Sequence, residues 1–388
     1  MALSKIKANS ITDDSITVDQ IADTAVHGRR NLIINGGMQV AQRGDVTGIT
    51  GANVYGGADR FATNGTAYGT VSLVQEEDAP EGFSDSQRVK FTTARSTTGA
   101  GDHFVIGTRL EGQDLQRFKK GTSNAESMTV SFYAKASQAT TIQLELFDSD
   151  NSRHAGKEFA ITTSWARYSY TFSGDTTGAF NDDSGLSLYV FFWLGAGTTW
   201  TSGTNPDGSW IADTNGRRVH SDVGTTFIDT LNAEFNLTGV QLEVGDKLTP
   251  FEHRSFGEEL SLCHRYCFAM QGTGDPLGSK GGAAIPGGGR GFWGFGSAHN
   301  SANPVTWAQM PTSMRGVPSL TVSDNTHFDF DRGHSTLKSS TSTILQTLRS
   351  SSKAVAVICN VGSGLSNGEA GSLSANNSAA YMIFDAEL

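Results

Sequence analysis

Met128-Thr-Val-Ser-Phe-Tyr-Ala134 alternates apolar and polar residues, and Thr141-Ile-Gln-Leu-Glu-Leu-Phe147 repeats the pattern shortly afterwards. A period of two belongs to a strand with one buried face, whereas a helix face needs spacings of three and four. Upstream, Val71–Val74 and Gln87–Thr92 read the same way. Downstream follow Trp165–Phe172 (WARYSYTF), Leu186–Trp193 (LSLYVFFW) and Phe235–Val244 (FNLTGVQLEV), with Gly, Asp and Asn between them. Several strands at such spacing predict an antiparallel β-sandwich over residues 29–256. Lys135, Glu145 and Arg167 fall on the polar phase, so each sheet is expected to keep one solvated face.

The rest of the composition agrees. With 46 Gly and only 18% charged residues in 388, the chain reads as mainly β, in two or three domains. A net charge of −10 argues against a nucleic-acid partner, which needs a basic stripe to displace phosphate counterions. No run approaches the ~20 apolar residues of a membrane span, so no membrane insertion is expected. The N-terminus has no apolar stretch of the kind a secretory signal needs. Three cysteines imply no disulfide framework. Cys263 and Cys267 lack the rest of a zinc site and read as small core residues, in keeping with assembly in a reducing cytoplasm.

The two ends differ from the sandwich. Ile6, Ile11, Ile16, Ile21 and Val26 recur every five residues, a period that serves neither helix nor strand. Three copies around one axis would place each aliphatic in a central layer, which makes residues 1–28 an extended homotrimeric stem or docking arm. A solvated tail that folds on meeting a partner is the other reading. Residues 257–270 are expected to form a short linking helix, with Leu260, Cys263 and Cys267 on one face and Glu258 and Glu259 at its positive end. Residues 271–388 read as a distal Gly-rich β domain with strands at Ser319–Ser323, Ala354–Cys359 and Tyr381–Phe384. Its stretch 272–296 carries Phe292, Trp293 and Phe295 among glycines. These are either aromatics on adaptable contact loops or a core strand with Gly where backbones approach closely.

Two phrases bracket the sandwich. Asn31–Gly44 (NLIINGGMQVAQRG), followed by ADRF at Ala58–Phe61, resembles the opening of a β-sandwich found in many bacteriophage tail-fibre proteins. Gly239–Tyr266 (GVQLEVGDKLTPFEHRSFGEELSLCHRY) resembles the close of that domain and the start of the next, and the terminal IFDAEL is similar to the end of such proteins. WARYSYTF is similar to a strand of carbohydrate-binding jelly-roll modules. The resemblance implies a jelly-roll-like sandwich, a trimer, and a structural protein of the virion tail. Such a protein docks on a tail adaptor or tube protein through residues 1–28 and touches a host-surface glycan or other receptor with its β domains.

Chemistry is sparse. Asp148, Asp150 and Ser152 have the spacing that opens a calcium loop, but Arg153 stands where the loop needs Gly, so a turn is the better reading and no metal is expected. Trp200 and Trp210 flank Asn205 and Asp207. Two indoles beside an amide and an acid suit a sugar ring, which offers apolar C–H faces and directional hydroxyls. Indoles that cover their own sheet, or a subunit interface, fit equally well. The adjacent pairs Glu76-Glu77, Asp182-Asp183 and Glu258-Glu259 read as solvated charges, because strand neighbours point to opposite faces and cannot form a glycosidase pair. The nine His residues form no ligand motif, and there is no phosphate loop or nucleophile elbow. No catalytic residue and no cofactor are expected. The rival readings are a purely structural adaptor or baseplate component, and less favoured, a polysaccharide depolymerase.

Overall fold

The computed structural model describes residues 29–93, 99–271, 292–332, 337–345, 347–377 and 379–388. The five aliphatics of the expected stem lie outside the described residues, as do residues 272–291 of the Gly-rich stretch 272–296. The protein is mainly β, built from antiparallel sheets with a jelly-roll-like sandwich. Among the described residues no helix is long and apolar enough to cross a membrane.

Thirteen strands make the sandwich: β1 Val46–Ile49, β2 Val54–Tyr55, β3 Ala62–Thr66, β4 Thr70–Glu76, β5 Ser86–Thr93, β6 His103–Glu111, β7 Met128–Ala136, β8 Thr140–Asp148, β9 Arg153–Ile161, β10 Ala166–Phe172, β11 Leu186–Ala196, β12 Ile211–Ala212 and β13 Glu234–Val244. One sheet runs β1-β4-β5-β13-β7-β10 and the other β12-β9-β8-β11-β6-β3-β2. Between them Phe132, Phe192, Phe104, Phe91 and Phe235 are fully buried, with Phe132 edge-on to Phe192 at 4.9 Å. Each such side chain contributes about 1.5–3 kcal/mol by leaving water. A bulge in β13 falls at Gly239, whose φ of 61° and contact with the rings of Phe83 and Tyr133 admit no side chain.

The opening and closing phrases of the sandwich lock together. Asn31 Oδ1 accepts from the amides of Ile33 and Leu242 at 2.9 and 3.1 Å, and its Nδ2 donates to the Val240 carbonyl at 3.0 Å. Glu252 accepts from the amides of Arg30 and Asn31, both at 2.9 Å. Glu259 accepts from the Asn35 amide at 2.5 Å and pairs with Arg254, so it is buried and not the solvated charge expected.

The linking helix is shorter than expected. It spans Phe256–Cys263 (α3, after the single-turn helices α1 Thr198–Thr201 and α2 Thr226–Asp229), and Ser255 caps it by accepting from the Glu258 amide. Cys267 lies outside it, opening the next strand, because the chain must turn there to enter a new sheet. Cys263 and Cys267 are fully buried.

The distal strands are β14 Cys267–Gln271, β15 Phe292–Ala298, β16 Pro304–Gln309, β17 Ser319–Val322, β18 Phe328–Asp331, β19 Leu337–Ser339, β20 Ser342–Leu345, β21 Ala354–Asn360, β22 Ala370–Ala375 and β23 Tyr381–Asp385. They form a small sheet β14-β23-β17 and a larger one β19-β18-β22-β15-β16-β21-β20, around a core of Phe328, Phe330, Leu373, Val355, Met382 and Phe384. A charged joint ties this unit to the sandwich. Glu387 is gripped by Arg43 at 3.2 Å and by Arg60, while Arg315 donates to the carbonyls of Ala386 and Glu387, each at 2.8 Å.

Candidate functional site

Register decides which side chains share a face, since directly paired residues of an antiparallel pair point the same way. On the outer face of the sandwich's seven-stranded sheet β11 presents Tyr189, Phe191 and Trp193, β8 presents Phe147, Glu145 and Gln143, and β6 presents Arg109, Gly107 and Val105. This face is not solvated. The connection that follows β11 folds back over it, and Val219 and Val223 from this strap bury Val105, Phe191, Trp193 and Ala196. Glu145, expected on a solvated face, is fully buried there. Arg218 Nε and Nη2 donate to its two oxygens at 2.8 and 2.9 Å, and Trp193 Nε1 donates to Oε2 at 2.8 Å.

The two Trp residues expected to flank a sugar do not meet. Trp200 packs on Trp193 and His103 with ring centroids 5.4 and 4.8 Å away, and its Nε1 donates to the Gly101 carbonyl at 3.0 Å. Trp210 packs against the main core, and its Nε1 donates to the Ser173 carbonyl at 3.0 Å. Asn205 Nδ2 donates to the carbonyls of Arg217 and Arg218, and Asp207 pairs with Lys157. Both indoles thus pack against their own chain.

The Asp148–Ser152 loop also holds its own cation. Lys120 Nζ, fully buried, lies 2.5 Å from Asp148 Oδ2 and 3.1 Å from Asp175 Oδ2, and donates to the carbonyls of Thr177 and Gly178 at 2.9 and 2.8 Å. Burial alone would raise the Asp175 pKa, but its bonds to Arg153 and Lys120 bring it below the ordinary value. Asp150 accepts from the Asn181 amide instead. Glu111 is likewise engaged by Arg265 and Tyr266, which hold its carboxyl low against the effect of burial. At the strap's edge Glu158, His220 and Asp222 offer ligand atoms within 4.8 Å of one another, a grouping their spacing in sequence hides. There His220 Nδ1 lies 2.6 Å from Glu158.

The distal sheet presents the opposite arrangement. β15 is a strand, as one of the two readings had it: a side chain at Gly294 or Gly296 would collide with the carbonyl oxygen of Trp307 or Val305 on β16. Yet Phe295 does not enter the core. It stands directly opposite Trp307, and the two are 71% and 47% exposed. One cross-strand row on this face runs Leu337, Asp331, Ser372, Phe295, Trp307, Ala356. Two aromatics thus lie side by side, with a hydroxyl and a carboxylate on the next two strands. The side chains of Phe292 and Trp293 lie outside the description. Trp307 was not singled out from sequence. The alternation Val305-Thr-Trp-Ala-Gln309 is the signal that places it on one face of a strand.

No family model matches the chain, and no curated protein matches its sequence. Solved structures with a distant likeness include the enzymatically active domain of tailspike protein 4 from bacteriophage CBA120, at 10% identity and a TM-score of 0.29 over 55% of this chain. The chain spans only 21% of that domain's length. The family 11 carbohydrate-binding module of the cellulase Lic26A-Cel5E of Clostridium thermocellum is 11% identical over 54% of this chain and 99% of the module, with a TM-score of 0.27. The CBM22-1 xylan-binding domain of Paenibacillus barcinonensis Xyn10C is 12% identical over 57% of this chain and all of the domain, with a TM-score of 0.28.

Proposed function

We propose that this chain is a structural protein of a bacteriophage tail fibre that binds a host-surface glycan through the outer face of its distal sheet, and that it binds without cleaving. One observation carries the site: the exposed pair Phe295 and Trp307, in register on adjacent strands. A flat aromatic pair offers the apolar C–H face of a pyranose a stacking surface, and Ser372 and Asp331 supply oxygens for its hydroxyls. The tail-fibre reading rests on the phrases at Asn31–Gly44, Ala58–Phe61 and Gly239–Tyr266. The five-residue aliphatic period supports a trimer docked on the tail through residues 1–28. Threefold repetition would turn weak single contacts into firm attachment. Binding without cleavage is supported by the carboxylates of the sandwich face, since Glu145 and Glu111 are both committed to arginines.

Labelled protein tested against a panel of intact bacterial cells, with solution mass measured on the same sample, examines this reading. Saturable binding by a trimer that falls in Phe295→Ala and Trp307→Ala, with no sugar fragments released, is the expected result. A trimer that binds no cells across a panel including its host would leave a structural adaptor as the better account. Released fragments would favour a depolymerase.

A further inference from the structure

His154 is a buried polar side chain for which the fold has no use. It stands on β9, opposite Phe147 on the outer face of the sheet, completely buried, and neither ring nitrogen has a hydrogen-bond partner. Such groups are rare because they are costly, and a well-packed apolar residue would serve stability better. Its Nδ1 lies 3.6 Å from Oε1 of Glu145, the carboxylate on which the strap is anchored.

The groups around it set what a proton would do. Glu145 faces it from β8, and Asp213, Arg217 and Arg218 face it from the strap, while β12, paired alongside through Ile211, brings no charge. Burial lowers the His154 pKa, Glu145 raises it, and Arg218 lowers it again. The imidazole is therefore neutral at neutral pH. A proton arriving in acid places a second cation beside a carboxylate that Arg218 already satisfies. Two buried cations on one carboxylate leave a net charge without water.

Upstream, β12 pairs with β9 and Trp210 packs on the main core, but the part of the strap that carries Arg218, residues 213–223, has few other ties to the sheet. Gln143 donates to the Arg218 carbonyl at 2.5 Å and accepts from the His220 amide at 2.7 Å. Gly208 and Asp213 donate to the carbonyls of Gly156 and Ser152, each at 2.8 Å. Val219 and Val223 of this part belong to a small apolar cluster separate from the main core. At the strap's edge His220 Nδ1 lies 2.6 Å from Glu158.

We infer that residues 213–223 are a proton-released strap: proton uptake at His154 sets it against Arg218 for the Glu145 carboxylate and lifts this part of the chain, baring Val105, Phe191 and Trp193 as a second aromatic surface. Hydrogen exchange of the full chain at about pH 7 and about pH 4.5, normalised to intrinsic rates, tests this. Strap peptides should lose protection in acid, while peptides of β7 and β13 keep theirs. His154→Leu should abolish the step, as should His154→Gln if the leucine variant does not fold. Arg218→Ala should leave the strap open at both pH values. Equal strap protection at both pH values, a step that survives loss of His154, or loss of protection spread evenly over β7 and β13 would each overturn the inference.

Discussion

The two seven-stranded sheets treat their outer aromatics in opposite ways. On the sandwich, Phe191, Trp193 and Trp200 lie under or within a strap supplied by the same chain, and both strap indoles and Trp193 spend their N–H groups on protein acceptors. On the distal sheet, Phe295 and Trp307 face outward, with no covering element among the described residues. The difference is one of connection length. Residues 197–233 join β11 to β13 and are long enough to fold back across a sheet, whereas residues 299–303 join β15 to β16 and can only turn. A cluster of aromatics in sequence therefore says little about binding until the chain's own means of covering them is known.

The largest effect that separates the two regions is expected at Lys120. Lys120→Met leaves Asp148 buried without its cation and Asp175 with Arg153 alone, and breaking such a set costs about 3–5 kcal/mol. Urea denaturation followed by sandwich fluorescence should show it, with binding by any folded fraction unchanged. Because an ammonium fills the site, added calcium or a chelator should leave the wild-type midpoint where it is. A calcium-dependent shift would mean that this loop is an ion site after all.

Next come the indoles themselves. Trp210→Ala removes a side chain packed on the main core and should cost about 3 kcal/mol, and Trp200→Ala, at the edge of the smaller cluster, about 2 kcal/mol. Neither should weaken cell binding. Phe295→Ala and Trp307→Ala should do the reverse, moving stability by no more than about 0.5 kcal/mol while each costs about 1 kcal/mol of binding, roughly fivefold per site. Thermal melts beside cell-binding isotherms for the four variants give the comparison directly. If the Trp200 or Trp210 variant loses binding while still folded, the closed face and not the open one is the contact surface.

Much of the fold was legible because polar side chains alternate with apolar ones even on strands covered on both faces, such as β7, β8 and β13. β7, β8, β10, β11 and β13 all announced themselves in this way. β6 and β9 did not. β6 reads HFVIGTRLE, an apolar run broken by Gly107, and β9 places Gly156 and His154 beneath the strap, so neither alternates cleanly. The same cover hid the fate of Glu145, whose position in the alternation was right and whose solvation was not. Of the candidate contact residues, Phe295 emerged on the surface, while Trp200, Trp210, Asn205 and Asp207 proved to be held by their own chain. No local pattern could have separated them, because what distinguishes them is a contact made dozens of residues away. The phrases that carried the tail-fibre resemblance turned out to be joint residues. Asn31, Asn35, Asp59 and Arg60 hold the sandwich's first turn, its last strand and the distal unit together.

A further effect concerns that joint, and it is a matter of pH. His264, just after α3, is buried edge-on against Phe268 at 5.2 Å, and burial pushes its imidazole down to about 4 from an ordinary 6.5. A histidine whose folded pKa is depressed favours folding only while it is neutral. The contribution is complete above about pH 6.5, where the unfolded chain is also neutral, and it is lost as pH falls towards 4. Allowing for partial screening by solvent, the loss is expected to be about 1–2 kcal/mol. Denaturation midpoints of wild type and His264→Gln at several pH values between 7 and 4, read on the distal unit, would show the wild-type curve falling and the variant's staying flatter. The strap's response to acid would persist in His264→Gln and vanish in His154→Leu, because the two histidines act on different elements. Parallel curves for wild type and His264→Gln would mean that the joint is indifferent to this proton, and that whatever acid sensitivity the protein has belongs to the covered face of the sandwich.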